Sequence, residues 1–219
     1  MYNQIAKDSY IQDIYNKISH LEDNQIFYCN HSQSHINNVV KTVGDILTCL
    51  SYSQEIIEDA KIAAVLHDIG CIEGKDKHAK RSYEMAKKYL KDNGIKLNNQ
   101  KMVLDAIKNH SDGFETDNII TLAIIFADKI DLTKNRLNKI GLTMPGVRQM
   151  EHIYCVNVNT SGGYLSVQFV IDKKFSREEF ETFYFIPKMF KAISSFAKKV
   201  GLKPVVLLGD NEWLCPIES

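Results

Sequence analysis

A histidine and an aspartate stand side by side at the end of an apolar stretch, at His67 and Asp68 within residues 64–70. An unpaired polar group in such a place costs about 2–7 kcal/mol, and a carboxylate costs more, so both side chains need partners. A backbone carbonyl or a lysine would serve. A metal ion would also serve, because it binds a neutral imidazole and an ionised carboxylate side by side.

Isolated histidines and carboxylates recur at the ends of other predicted helices. Four imidazoles and two carboxylates provide enough nitrogen and oxygen ligands for two transition-metal ions, with one carboxylate bridging them. Asp68 suits the bridge because His67 beside it can hold one ion. A histidine at the edge of a core is usually structural when it stands alone, so the set as a whole indicates the metal site. The set consists of His35, His67, Asp68, His78, His110 and Asp128.

Apolar residues at helical spacing predict the helices that must bring this set together. A stripe from Ile36 to Leu50 predicts one helix, with His35 at the border of its buried face. The next helix is predicted from Gln54 to His67, with Ser53 as its N-cap and Gly70 as its stop. The other predicted helices run from Asp8 to Ile18, from His78 to Leu90 after a cap at Asp76, across Met102 to Ile107 with His110 near the last turn, and from Asp117 to Asp128.

The pattern changes after Gly146. Alternating apolar residues over 152–159 and 165–171, joined by Gly162 and Gly163, predict a β-hairpin. Ser176 begins a capping-box pattern for a helix that Pro187 interrupts or restarts. A third strand is a candidate over 205–208. We therefore predict a mainly α protein, with a helical domain over residues 1–145 and a small α+β appendage over residues 146–219.

The bulk composition excludes several classes of protein. The chain has 219 residues, of which 44% are hydrophobic and 25% charged, as in ordinary soluble globular proteins. Basic and acidic residues number 27 each, which argues against a nucleic-acid partner held by bulk positive charge. The apolar runs are too short to span a membrane, and the first residues do not resemble a signal peptide. Five scattered cysteines indicate reduced thiols, so we expect a cytoplasmic protein.

The order His35, then His67 with Asp68, then Asp128 resembles the H…HD…D signature of the HD-domain superfamily of metal-dependent phosphohydrolases. Residues 66–70 are its most diagnostic part. His78 and His110 resemble the two extra histidines of the binuclear members. The resemblance spans roughly residues 28–140. It implies an HD-domain helical bundle that holds divalent transition metals, with two ions and iron or manganese favoured over zinc, nickel or cobalt.

The resemblance also implies hydrolysis of a phosphoester of a small molecule, and a nucleotide is the substrate we favour. In such a site, two ions hold a hydroxide that attacks phosphorus in line with the leaving oxygen. The candidate catalytic residues are Asp68, His31 and Lys75. Lys75 is the next basic residue after Cys71, which stands where many members of the family have a lysine. The candidate substrate-binding residues are Lys75, Arg81, Lys129 and Arg136.

Each of these assignments has a plainer alternative. The lysines and arginines would otherwise be solvated surface charges. His31 is either a substrate-contacting or proton-donating residue, or an exposed histidine in the first turn of a helix. Asp131 either orients a ligand from behind or is exposed.

The ligand set leaves two other functions open. Some proteins that resemble this superfamily use the same six ligands to activate oxygen, which would make the chain a di-iron oxygenase. A non-catalytic nucleotide-binding regulator would keep the fold without needing every ligand. The aromatic residues between Phe180 and Phe190 predict core or a contact between the two domains, with a homodimer interface as the alternative.

Overall fold

The structure is a computed structural model that describes residues 1–23 and 29–215, except for the side chain of Asp23. Residues 24–28 and 216–219 of the two predicted domains lie outside the described residues. The described chain is mainly helical with a small C-terminal sheet, which confirms the predicted fold class. The helices are α1 (Tyr2–Ala6), α2 (Ser9–Asp23), α3 (Gln33–Cys49), α4 (Gln54–Leu66), α5 (His78–Asp92), α6 (Gln100–Asn109), α7 (Ile119–Ile130), α8 (Arg177–Phe180) and α9 (Ile186–Val200).

Helix α7 forms the centre of the molecule. Every residue from Ile119 to Ile130 is buried, as expected for a sequence that is apolar on all sides. Its cap is Asn118, whose side chain accepts hydrogen bonds from the backbone N–H groups of Ile120 and Thr121, one residue after the predicted start at Asp117. Helices α3, α4, α6 and α9 pack around it. Within the described ranges, none of the helices combines the length and apolarity that crossing a bilayer requires.

The chain leaves α4 one residue earlier than predicted. Helix α4 ends at Leu66, and a short 3₁₀ helix follows over Ile69–Glu73. Gly70 lies in this segment, where an added Cβ would be 2.5 Å from the carbonyl oxygen of His78 and 2.5 Å from the backbone nitrogen of Ser82. A glycine therefore allows the segment to pack tightly against α5. This contact places the end of α4 beside the first turn of α5.

Two predicted helix starts differ in detail. Helix α5 begins at His78 as predicted, but the residue at its cap is Lys77, in a left-handed conformation (φ 53°), and not Asp76. The side chain of Ser176 caps α8 as predicted, but α8 ends at Phe180. The chain restarts as α9, with Pro187 in the first turn, where its missing N–H has no cost.

The sheet contains β1 (Ile153–Ser161), β2 (Tyr164–Ile171), β3 (Lys203–Leu208) and β4 (Asn211–Glu212), in that order. Strands β1 and β2 form the predicted antiparallel hairpin. Strand β3 is the predicted third strand, and it pairs parallel to β2 because α8 and α9 provide the crossover. The two-residue strand β4 is too short to leave a periodic signal in the sequence.

One hydrophobic core continues from the helices into the sheet. Phe126 of α7 stacks on Phe196 of α9 with ring centroids 4.8 Å apart, and both side chains are fully buried. Trp213 packs against Phe169 of β2 and Phe190 of α9. The aromatic residues after β2 thus belong largely to this core. The domain boundary at residues 145 and 146 stays a prediction, and the side chains on its two sides share one core.

Candidate metal centre

The first group of predicted ligands meets where α3, α4 and α7 approach each other. The Nε2 atom of His35 lies 3.3 Å from Oδ1 of Asp128 and 3.7 Å from Oδ2 of Asp68. The Nε2 atom of His67 lies 3.1 Å from the same Oδ2 of Asp68. Four residues from three regions of the chain therefore direct nitrogen and oxygen atoms at one point.

The second group lies on the other side of the Asp68 carboxylate. Its Oδ1 atom is 3.3 Å from Nε2 of His110 and 3.5 Å from Nε2 of His78. The two Nε2 atoms are 2.9 Å apart, and the hydroxyl oxygen of Ser111 lies 3.4 Å from the Nε2 atom of His78. Asp68 therefore presents one carboxylate oxygen to each group, which is the arrangement of a bridging ligand.

Buried polar atoms without partners mark this centre. Among the described residues, the Nε2 atoms of His35 and His67 and the Oδ1 atom of Asp68 are buried and make no hydrogen bond. Each such atom costs about 1–3 kcal/mol, and an ionised one costs more. Imidazole nitrogens and carboxylate oxygens within 4.8 Å of one another can share a cation. Two sets of residues meet this condition: His35, His67 and Asp128, and His67, Asp68 and His110. The residues present therefore fit divalent metal ions.

The backbone fixes the orientation of three of the imidazoles. In each, Nδ1 donates to the carbonyl oxygen three residues earlier, so Nε2 carries the lone pair and faces the centre. For His67 and His110, which directly follow α4 and α6, this carbonyl lies in the last turn of the helix, where the carbonyls have no partner within the helix. For His78, the first residue of α5, it lies in the preceding loop. The pairs are His67 with Ala64, His78 with Lys75 and His110 with Ile107, each at 2.8 Å.

The fourth imidazole, that of His35, takes its orientation from a carboxylate. Its Nδ1 atom lies 2.7 Å from Oδ2 of Asp131, which follows α7. The other oxygen of Asp131 accepts hydrogen bonds from the side chains of Asn38 and Thr133. Asp131 is 5% exposed, so the sequence-based hypothesis of an orienting residue agrees with its position, and the alternative of an exposed carboxylate does not.

Strong electrostatic coupling acts within the centre. Burial and the charge of Arg136 alone would lower the pKa of His35, but the neighbouring carboxylates of Asp128, Asp131 and Asp68 outweigh them and raise the pKa to about 10. Burial lowers the pKa of His110 to about 4 despite the neighbouring Asp68. Although burial opposes ionisation, surrounding cationic and imidazole groups hold the pKa values of Asp68 and Asp128 well below the usual range. Among these groups, the proton that a metal must displace at neutral pH is therefore held by His35.

Two predicted substrate-binding cations contact Asp128. The guanidinium of Arg136 donates to its Oδ1 at 3.0 Å and to its backbone carbonyl at 2.9 Å. The ammonium of Lys129 pairs with Oδ2. Both cations are buried and line a cavity of about 260 Å³ that opens onto the centre. The interpretation of these two residues as solvated surface charges is therefore wrong.

His31 and Lys75 line the same cavity. Burial lowers the pKa of Lys75, and the charge of Arg136 lowers it further. The Nδ1 atom of His31 lies 2.5 Å from a carboxylate oxygen of Glu22, and its Nε2 atom lies 3.9 Å from Oδ2 of Asp68. Burial lowers the pKa of His31 to about 4, and the nearby carboxylates only partly offset this effect. His31 is thus neutral at neutral pH and turns Nε2 towards the centre.

Arg81 lies outside this cavity. Its guanidinium donates to the carbonyl oxygens of Gly70 at 2.6 Å and Gly74 at 3.1 Å, and it pairs with Glu73 at 3.0 Å. Arg81 therefore holds the loop that follows Asp68. In the part of the chain that the structure describes, the guanidinium of Arg81 therefore contacts this loop and does not line the cavity that we predicted it to reach.

Sequence reasoning missed several residues around the cavity. Glu22 is 3% exposed at the end of α2, where the neighbouring polar residues give no sign of burial. The segment from Phe183 to Phe185 and the side chain of Lys188 reach the cavity from the start of α9. Their contribution depends on how the C-terminal part packs on the helices, and no local pattern reports that packing.

The comparisons with known proteins bear on this part of the chain. A search of curated proteins found no match. The family model of the HD domain matches residues 34–135, a segment that contains all six predicted ligands. The segment has the signature residues of this family, and the structure gathers them in one centre. Residues 34–135 therefore match the HD domain, a family whose members are generally metal-dependent hydrolases.

Proposed function

We propose that this protein hydrolyses a phosphoester of a small molecule in a metal-dependent reaction, and that the substrate is a nucleotide. The observation that carries the proposal is the position of Asp68, whose two carboxylate oxygens face two separate groups of imidazole nitrogens. A purely structural role for Asp68 would require imidazoles near only one of its oxygens. Two metal ions bridged by this carboxylate would require imidazoles near both oxygens.

Two ions divide the six residues between them in this proposal. His35, His67, Asp68 and Asp128 would hold the first ion, and Asp68, His78 and His110 would hold the second. Bound divalent metals, with iron or manganese favoured over zinc, nickel and cobalt, lower the pKa of water and neutralise charge on a phosphoryl group.

The remaining residues bind the phosphate and handle protons. Lys129, Arg136 and Lys75 supply positive charge along the cavity, where a tetrahedral phosphate needs cations. Glu22 holds the imidazole of His31 so that Nε2 faces the space beside Asp68. A neutral His31 accepts a proton from the attacking water at this atom and gives it to the leaving oxygen.

The charge around the cavity favours hydrolysis over the two alternatives. A di-iron oxygenase could use the same six ligands, but its organic substrate would not need three cationic side chains beside them. A non-catalytic regulator would not need the second pair of imidazoles. The cationic lining agrees with an anionic substrate, and the complete ligand set agrees with catalysis.

Elemental analysis of untagged protein tests the proposal first, followed by a phosphate-release screen of nucleotides with each metal. We expect His67→Ala and Asp68→Ala to lose both bound metal and phosphate release. His20→Ala, which changes an exposed histidine on α2, is the matched control. Full metal content in either ligand variant contradicts the proposal. Oxygen uptake with an organic substrate and no phosphate release would identify the oxygenase instead.

A further inference from the structure

A second cavity, which we call the lysine pocket, adjoins the metal centre. It has a volume of about 550 Å³ and lies between the start of α5, the end of α6 and the start of α9. Lys75, His78, Ser111 and Lys188 line both this pocket and the cavity over the metal centre. The two spaces are therefore neighbours that share a wall, and one extended ligand can enter both.

The lysine pocket is strongly basic. Four lysines line it, and Asp112 is the one acidic residue among the described residues of its lining. That carboxylate pairs with Lys188 at 2.7 Å, and the lining as a whole contains more basic than acidic side chains. The lysines are Lys75, Lys77, Lys108 and Lys188. Since the whole chain has equal numbers of basic and acidic residues, this excess is local.

The backbone directs one of these lysines at a conformational cost. Lys77 has a φ of 53°, a left-handed conformation that residues with a side chain seldom adopt. The conformation ends the loop and starts α5 at His78, so the position of Lys77 is tied to that of a predicted metal ligand. Lys108, near the end of α6, precedes the predicted ligand His110 by two residues. Both lysines are exposed, so their charges can meet a ligand from solvent.

We propose that the lysine pocket binds a second phosphate group of the substrate, while the metal centre acts on the first. The substrate class is then a bisphosphate or polyphosphate ester, and a monophosphate is the poorer substrate. This inference rests on the proposed function. It adds that Lys77 and Lys108 determine specificity through charge, without touching the reacting phosphate.

The test compares AMP with ADP and with adenosine 3′,5′-bisphosphate. For wild-type protein loaded with manganese, we expect a lower KM for at least one of the doubly phosphorylated compounds. Lys77→Gln and Lys108→Gln should each reduce this preference by about two- to fivefold, the effect of one exposed charge pair. The matched controls are Lys80→Gln on α5 and Lys101→Gln on α6, which change exposed lysines outside the pocket and should keep the preference. The preference should also shrink as the salt concentration rises.

Equal KM values for all three compounds in the wild type overturn the inference while the proposed function stands. An equal loss of preference in the pocket and control variants also overturns it, because the effect would then come from overall charge. If neither these compounds nor any nucleotide of the screen with each metal is hydrolysed, the proposed function fails, and equilibrium dialysis of AMP and ADP still tests the pocket. Tighter binding of ADP that Lys77→Gln and Lys108→Gln abolish would support a second phosphate site even then, and equal binding would exclude it.

Discussion

The Nδ1 atom of His35 lies 2.7 Å from Oδ2 of Asp131, and this contact turns the opposite ring nitrogen towards Asp68 and Asp128. The two residues are 96 positions apart in the sequence. The first signature histidine on α3 is therefore positioned by the residue that follows α7. A carboxylate behind a ligand histidine fixes the ring and raises its affinity for a metal.

We expect Asp131→Ala to weaken metal binding by about 10- to 100-fold, because His35 loses its orienting carboxylate. Competition with a chelator of known affinity measures the change. Asp45→Ala, which removes an exposed carboxylate from α3, should leave metal affinity at the wild-type value. Unchanged affinity in Asp131→Ala would show that backbone packing alone orients His35.

Metal affinity should rise with pH. The pKa of His35 in the metal-free protein is about 10, against an ordinary value of 6.5, so a metal must displace its proton at neutral pH. One displaced proton raises the apparent affinity by about tenfold per pH unit below that pKa. Titration calorimetry in buffers of different ionisation enthalpy counts the protons released. A metal affinity that does not change with pH would contradict the displacement of a proton from His35.

The metal-free protein should show the opposite trend in stability. Because the folded-state pKa of His35 is raised, its contribution is fully present below about pH 6.5 and is lost as the pH rises through about 10. Thermal unfolding in a chelator should therefore give a lower midpoint towards pH 10, whereas loading with manganese should reduce this loss. A midpoint that climbs with pH in the chelator would refute the prediction.

Glu22→Gln should lower kcat by one to two orders of magnitude while the metal content stays unchanged, since a positioned proton-transfer group contributes about 10²–10⁴ to the rate. Glu22 is a positioning residue that acts through His31. Loss of its charge lowers the pKa of His31, so the acid limb of the pH profile should move to lower pH. Glu58→Gln, at an exposed carboxylate paired with the N-terminus, is the control. A lower kcat with an unmoved acid limb would indicate a merely structural role.

Phe196→Ala should destabilise the whole protein by about 3–5 kcal/mol, because it removes a buried ring stacked on Phe126 of the central helix. Denaturant unfolding followed by circular dichroism should show one transition with a lower midpoint. Tyr164→Ala removes a half-exposed ring from β2 and should change the midpoint little. Two separate transitions in Phe196→Ala would show that the C-terminal residues unfold independently of the helices.

The sequence was informative where a ligand interrupts an apolar pattern. Asp128 ends a run that is apolar on every side, and His67 with Asp68 follows a buried helix, so the cost of burial itself marked these residues. His78 and His110 carried no such mark. Their places at the ends of predicted helices brought them into the ligand set, and the resemblance to the family then supported them. In the structure, Nε2 of His78 lies 3.5 Å and Nε2 of His110 lies 3.3 Å from Oδ1 of Asp68, and their roles as ligands stay a prediction.

The sequence was uninformative where a long side chain could turn either way. Arg81 lies one helical turn from His78, which favoured a contact with substrate. Its guanidinium instead donates to the carbonyl oxygens of Gly70 and Gly74 and pairs with Glu73, contacts that helical spacing alone does not predict. The approach of Lys188 depends on the packing of α9, which hydrophobic periodicity cannot place relative to α5.

Two of the proposed ligands, His67 and His110, owe their ring orientation to carbonyl oxygens in the last turns of α4 and α6, and His78 owes its orientation to a carbonyl oxygen in the loop before α5. Fraying of a last helical turn would therefore release an imidazole together with the backbone. Metal occupancy and local unfolding then become one equilibrium, and hydrogen exchange of the amides around these three histidines should slow when the cations are added.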